Sequence, residues 1–377
     1  MQNTAMLWVS AMRRKLGFWR ARYRRPTITT PTGKLPLGTA PYTFVSVVSP
    51  LFNQNVPLAT SLARVGYCHG FEQIGIPYVI LGTHELADRL PDLPNPICLL
   101  QNTDYLYLNR THLDALRRTR HFVWLDYWFK DDMELFQAEG LDYQSFARQT
   151  HKDLLYSEPA FTFTISPAAS LACYAKWMEH GLQVESLPLA CDTTVYHPNI
   201  TDNPQFDGVQ MTFVGGYWPY KAKQLDRYLR PYEKDLTVFG RERWPYAGYG
   251  GPLPQDQEAA LYRQARLSPT INEPHCERLN IDQNERVFKV LGSGGCSITD
   301  AISGYREWFS ADELPVPASL EEYHEIVQTL LTDSTLNQTY RTRGYQAIVN
   351  RHTYAHRAQR VLELLGISLP ASLPVQA

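Results

Sequence analysis

Six short apolar runs, at 44–48, 78–81, 97–100, 122–125, 161–165 and 184–187, follow one another through the first half of this 377-residue chain, with helix-length stretches between them. The first four are apolar without alternation, broken only by Ser46, which is the pattern of strands covered on both faces. Such strands joined by helical connections form parallel β-α-β units. The stretch 58–74 can wind as a helix, and Gly75-Ile76-Pro77 closes it before the second run. A second set, at 211–214, 236–239, 267–271 and 296–299, starts after the Pro-, Asn- and Asp-rich loop 198–208. A helix beginning near Glu285 connects its last two strands and ends in Gly292-Ser293-Gly294-Gly295. The expected fold class is α/β, with two Rossmann-like doubly wound domains.

The pattern divides the chain into a basic amphipathic arm and linker (1–40), an N-terminal Rossmann-like domain (41–200), a C-terminal one (201–345), and a C-terminal helix and tail (346–377). One final helix is expected over 336–365, with Tyr345, Ile348, Ala355, Ala358, Leu362 and Leu365 on its apolar stripe. In the arm, seven basic residues fall between Arg13 and Arg25. Trp8, Met12, Leu16, Trp19 and Tyr23 share one helical face, a pattern that suits either a membrane surface or packing on the protein itself.

With 36 Lys plus Arg against 38 Asp plus Glu, the net charge of -2 provides no general field for a polyanion, so a nucleic-acid partner is disfavoured. The six cysteines stand singly, without metal-finger spacing, and read as reduced thiols of a cytoplasmic protein. No metal site is expected. The sequons at Asn109, Asn199 and Asn337 read as chance, since no signal-peptide pattern precedes them.

Four motifs carry a resemblance. Residues 188–198 read P-L-A-C-D-T-T-V-Y-H-P; Phe213-Val214-Gly215-Gly216 is followed by Lys221; residues 284–295 read N-E-R-V-F-K-V-L-G-S-G-G; and residues 352–357 read H-T-Y-A-H-R. In this order, over about 170 residues, they resemble the C-terminal domain of GT-B glycosyltransferases, in particular the spore-maturation (CgeB-like) branch. The resemblance implies a GT-B fold, two domains facing across a cleft. It also implies a nucleotide-diphosphate sugar as donor, bound on the C-terminal domain. Two departures stand out: Ala190 replaces the usual glycine, and Lys289 occupies the place where many related retaining enzymes carry a ribose-contacting acid. Glu277 and Glu285 have seven residues between them but lie four residues out of that register.

A diphosphate held without a metal needs backbone N–H groups and fixed cations. Asn284, Glu285, Arg286 and Phe288 belong to the third motif, with Arg286 as the group that stabilises charge on the leaving phosphate. Gly215 and Gly216 allow close approach of a ligand, with Lys221 and Arg241 as further cations. Asn272 ends a strand where related enzymes contact base or ribose, and reads equally as a turn former. In the N-terminal domain Asp126, just past a strand end, is the first choice for an acceptor base, with Asn53 and Asp104 behind it on the same topological ground. The aromatic cluster 244–251 suits stacking on a sugar or a mobile loop, and His352 and His356 read as packing residues.

The expected activity is metal-independent transfer of a sugar, of the hexosyltransferase type, to an acceptor hydroxyl on a glycan, lipid or small molecule. Membrane association would come through the arm. A catalytically inactive nucleotide-sugar or glycan-binding protein and a DNA-base glycosyltransferase are the alternatives.

Overall fold

A computed structural model describes residues 41–49, 59–125, 144–179 and 181–368. The arm, Asn53 and Asp126 lie outside these residues. The first half forms strands β1 (Thr43–Val48), β2 (Tyr78–Gly82), β3 (Pro96–Gln101), β4 (Arg120–Trp124), β5 (Phe161–Thr164) and β6 (Val184–Ser186). They build one parallel sheet in the order β2-β1-β3-β4-β5-β6. Helices α1 (Ala59–Gln73), α2 (Arg110–Leu116) and α3 (Gln144–Ser157) lie in the connections. The lack of alternation along β1, where Ser46 is the one polar residue after Thr43, has a direct cause. Phe44 and Val48 enter one core cluster while Val45 and Val47 enter another, so both faces of the sheet are covered.

The second half opens with β7 (Met211–Val214), α4 (Ala222–Leu229) and β8 (Leu236–Phe239), the strands pairing in parallel. Helices α5 (Gln255–Gln264), α6 (Arg286–Gly292), α7 (Leu320–Thr332), α8 (Ser334–Arg351) and α9 (Tyr354–Leu364) follow. Segment 267–271 runs beside β7 through Thr212 N–H to Leu267 O (3.0 Å), and segment 296–299 lies beyond it through Thr270 N–H to Ile298 O (2.8 Å). The spatial order is β8, β7, 267–271, 296–299. It repeats the reversal of the first sheet, where β2 lies on one side of β1 and β3 on the other.

The single helix expected over 336–365 is two helices, α8 and α9. The break at His352-Thr353 frees backbone groups that a continuous helix would use internally. His352 O accepts from Cys191 N–H (2.8 Å) and Tyr354 N–H donates to Cys191 O (3.1 Å). Thr353 then caps α9 by accepting from His356 N–H. The chain so returns to its first half, where α9 packs on α1.

Three of the four sequence motifs meet there. Arg357 donates from Nε to Pro188 O (2.7 Å) and from Nη2 to Leu189 O (3.1 Å), and a Cβ on Gly292 would overlap the Cys191 sulfur. One apolar cluster runs without interruption from Phe44 and Phe71 through Leu189 and Cys191 to Phe288 and Leu291. All six cysteines are free, and five are buried. The sequon residue Asn337 is 5% exposed, with its amide nitrogen bound to Arg266 O and Leu330 O.

Candidate functional site

In an open parallel sheet, ligands bind at the carboxyl ends of the strands, where the strand order reverses. In the second sheet that point lies between β7 and segment 267–271. The turn Gly215-Gly216 leaves β7 there, and Asn272 leaves segment 267–271. Gly215 N–H donates to Phe239 O (2.8 Å), and a Cβ on Gly240 would overlap Gly215 O, so the turns after β7 and β8 press together. Gly215 O also accepts from Trp244 Nε1 (2.9 Å), which fixes the turn from behind.

Into this crevice α6 brings Arg286. Its Nε donates to Val214 O (3.0 Å), and its guanidinium carbon stands 4.1 Å from the centroid of the Phe213 ring. A Cβ on Gly215 would lie 2.9 Å from Nη2, so the guanidinium sits where only glycine leaves room. Arg286 is 8% exposed, and its Nη1 is buried without a hydrogen-bond partner. Burying a guanidinium N–H unpaired costs free energy that a bound anion would recover. The second and third motifs thus converge on one cation facing the glycine turn.

The surrounding groups are tied to one another. Asn272 donates from its backbone N–H (2.8 Å) and from Nδ2 (2.6 Å) to the two oxygens of Asp300, and its Oδ1 accepts from Asn284 N–H (2.8 Å) and the Tyr305 hydroxyl (3.1 Å). Asn284 Oδ1 in turn accepts from Arg286 N–H (2.9 Å). Burial of Asp300 pushes its carboxyl up to about 6, against the opposing hydrogen bonds from Asn272. Asp300 follows the strand-like segment 296–299 as Asp126 follows the run 122–125. Sequence reading singled out only Asp126 of the two, although an acid just past an expected strand is the signal for both.

Several expected ligand contacts are occupied by the protein itself. Lys221 is buried and donates from Nζ to Ile271 O (3.0 Å) and to Glu273 (3.0 Å). Burial pushes the Glu273 carboxyl up, but the Lys221 charge and hydrogen bond outweigh this and hold it below its ordinary value. Glu285 is 7% exposed and paired with Lys289 (2.7 Å), which also approaches Glu258 (3.6 Å). Burial lowers the Lys289 ammonium, yet these two carboxylates more than offset it and raise it overall. Arg241 is exposed on the turn after β8.

Other residues stand apart from the crevice. Phe288 is fully buried among Trp308, Phe309 and His352, an inward helix position in the core. Asp104 is engaged within the first sheet. It is 1% exposed and bound to Arg64 Nη2 (2.6 Å) and Gln101 N–H (2.7 Å), a structural ion pair at the strand-order reversal of the first sheet. Trp244 and Tyr246 of the aromatic cluster are also core residues. Helix α6 has seven residues, and its first N–H is taken by Asn284, so the site's positive potential rests mainly on Arg286 rather than on a helix dipole.

The two halves face each other here. Ser166, just past β5, donates from Oγ to Asp282 Oδ1 (3.0 Å), two residues before Asn284. Two parallel sheets presenting their carboxyl ends to a shared cleft define the GT-B fold of glycosyltransferases.

Comparison with solved structures agrees. The phage T4 β-glucosyltransferase superposes with a TM-score of 0.54 at 11% identity, over 86% of this chain and 100% of that one. A structure titled as a trehalose-6-phosphate protein of E. coli bound with UDP-2-fluoro glucose gives 0.56 at 10%, over 87% and 100%. The sucrose-phosphate synthase of Thermosynechococcus elongatus gives 0.57 at 9%, over 86% and 98%. Residues 216–363, which include Gly216, Asn272, Asn284 and Arg286 of the crevice, match the family described as glycosyl transferase-like. No curated protein matches the chain in sequence.

Proposed function

We propose that the protein is a glycosyltransferase that binds a nucleotide-diphosphate sugar between the Gly215-Gly216 turn and Arg286 and transfers the sugar to an acceptor hydroxyl presented by the N-terminal domain. The observation that carries this reading is the buried, unpartnered Nη1 of Arg286 at the reversal point of a parallel sheet. Arg286 would bear the charge that develops on the leaving phosphate, so no metal is required in this reading. Support comes from the glycosyl transferase-like family match over residues 216–363 and from fold neighbours solved in complex with UDP and Mn2+ and with UDP-glucose. A hexose is the sugar class these neighbours suggest, and the spore-maturation branch rests on the four motifs alone.

Calorimetric titration with UDP, GDP and ADP tests the site. One of them binds the wild type, and Arg286→Ala weakens that binding about 10- to 100-fold, the range for losing a charge-assisted hydrogen bond. Equal affinity in the variant, or no nucleoside diphosphate bound by the wild type, overturns the assignment.

The Lys289-Glu285-Glu258 network favours a second reading, nucleotide-sugar binding without transfer, because a cation stands where many related enzymes place a carboxylate. Donor hydrolysis separates the two: an enzyme releases free sugar slowly from its donor, and a binding protein does not. A DNA base as acceptor would parallel the T4 neighbour, titled a DNA-modifying enzyme, but the net charge of -2 argues against a polyanion.

A further inference from the structure

At the opposite end of the first sheet, where β3 begins at Pro96 and β4 at Arg120, lies a cavity of 660 Å³. Arg117, Arg118 and Arg120 line it, together with Asn95 and an apolar wall that includes Leu93. All three arginines are exposed. Arg117 is engaged by Glu158 and lies over the Tyr156 ring, while Arg120 stands 5.9 Å from the Tyr42 ring centroid. Arg118 has no side-chain hydrogen bond or ion pair among the described residues. Of the acids at this face, Glu158 and Asp114 are tied to Arg117 and Arg110, and Asp92 is exposed between Pro91 and Leu93, which leaves three arginines against the two carboxylates Glu158 and Asp92. The cavity therefore keeps an excess of positive charge on a chain whose total is -2.

A second observation joins this one. Asn95 Nδ2, at the cavity, donates to Pro41 O (2.6 Å), so the chain preceding residue 41 enters the fold beside the arginines. That preceding sequence holds the seven basic residues between Arg13 and Arg25 and the apolar spacing Trp8, Met12, Leu16, Trp19, Tyr23.

We propose that this face is a docking surface for an anionic phospholipid bilayer, with Arg118 and Arg120 receiving headgroup phosphates. Guanidinium groups match phosphate geometry, and each basic residue near an anionic membrane adds about fivefold to binding. The position excludes an acceptor role: an anion here lies at the amino ends of the strands, while the cleft lies at their carboxyl ends. A bilayer also uses the apolar residues beside the basic ones, for which a polynucleotide has no counterpart. Docking on this side leaves the cleft open, and the proposal does not depend on the donor assignment.

Co-sedimentation of the full chain with vesicles tests it, using phosphatidylcholine alone and phosphatidylcholine with phosphatidylglycerol. The wild type binds the anionic vesicles and not the neutral ones. Arg118→Ala with Arg120→Ala lowers that binding about 30-fold at an unchanged melting temperature. Arg343→Ala with Arg360→Ala, which removes the same charge elsewhere, leaves it within a few-fold. Absence of binding to anionic vesicles, equal binding by the first variant, an equal loss in the second, or binding of a DNA duplex in place of vesicles would each overturn the proposal.

Discussion

His69 on α1 holds Asp192 of the first motif, residues 188–198, with its Nδ1 2.7 Å from Oδ2 and 3.0 Å from the Thr194 hydroxyl. The hydrogen bond to Asp192 raises its pKa above the ordinary 6.5, against a smaller opposing effect of burial. A histidine raised in the folded state contributes stability in full below its ordinary pKa and loses it as pH rises through the folded value. His69→Gln is therefore expected to cost of order 1 kcal/mol at pH 6 and less at pH 8.5, read by urea unfolding. An equal cost at both pH values would place His69 outside the charge coupling. His352 has the opposite sign. Burial, helped by Arg357, pushes it down to about 3, so stability falls as pH drops below 6.5 toward that value. At this scale the sequence exposes Arg286 and Gly215, because a residue opening a helix and a glycine leaving a strand have their places set by local pattern. It conceals which polar groups the protein uses for itself. Lys221 and Asp104 have the right chemistry at the right strand ends, but their partners, Glu273 and Arg64, are visible only in three dimensions.

The contact between α1 and α9 is made by glycines. A Cβ on Gly66 would overlap the Tyr354 ring, and one on Gly70 would overlap the Tyr354 carbonyl. At an exposed helix position, Gly→Ala gains up to about 1 kcal/mol from helix propensity. At Gly70 the added methyl meets backbone, which cannot rotate away, so Gly70→Ala is expected to lose about 1–3 kcal/mol. Glu72→Ala on the exposed side of the same helix should stay within about 0.5 kcal/mol. Urea unfolding of the two variants checks the pair, and a stabilised Gly70→Ala would mean that α9 is not seated as described. Strands and the first helix were legible from apolar runs because parallel strands covered on both faces have few other patterns. The α8–α9 break was not. Tyr345 through Leu365 keeps a helical stripe across it, and the interruption is imposed by Cys191, more than 150 residues away in the chain.

The two halves are joined in two ways that differ in strength. On one side the apolar cluster through Leu189, Cys191 and Phe288, with Arg357 bound to two carbonyls, makes a join that is largely out of water. On the cleft side the contacts are polar. Glu307 accepts from Ala168 N–H (2.6 Å) and Ala169 N–H (3.0 Å), Ser170 donates to Asn280 O (2.6 Å), and Ser166 meets Asp282. Water can replace such hydrogen bonds, and each is worth only about 0.5–1.5 kcal/mol net. The cleft side is thus expected to open more readily, with the apolar side as its hinge, which would suit the proposed passage of donor and acceptor. Glu307→Ala removes two of these bonds and touches nothing in the hinge. Small-angle scattering should show a larger radius of gyration for the variant, while its unfolding free energy changes by no more than about 1–2 kcal/mol. If the scattering curves superimpose, the cleft is held shut by something other than this clasp. If the variant instead loses several kcal/mol, Glu307 belongs to the folding core rather than to a separable contact between domains.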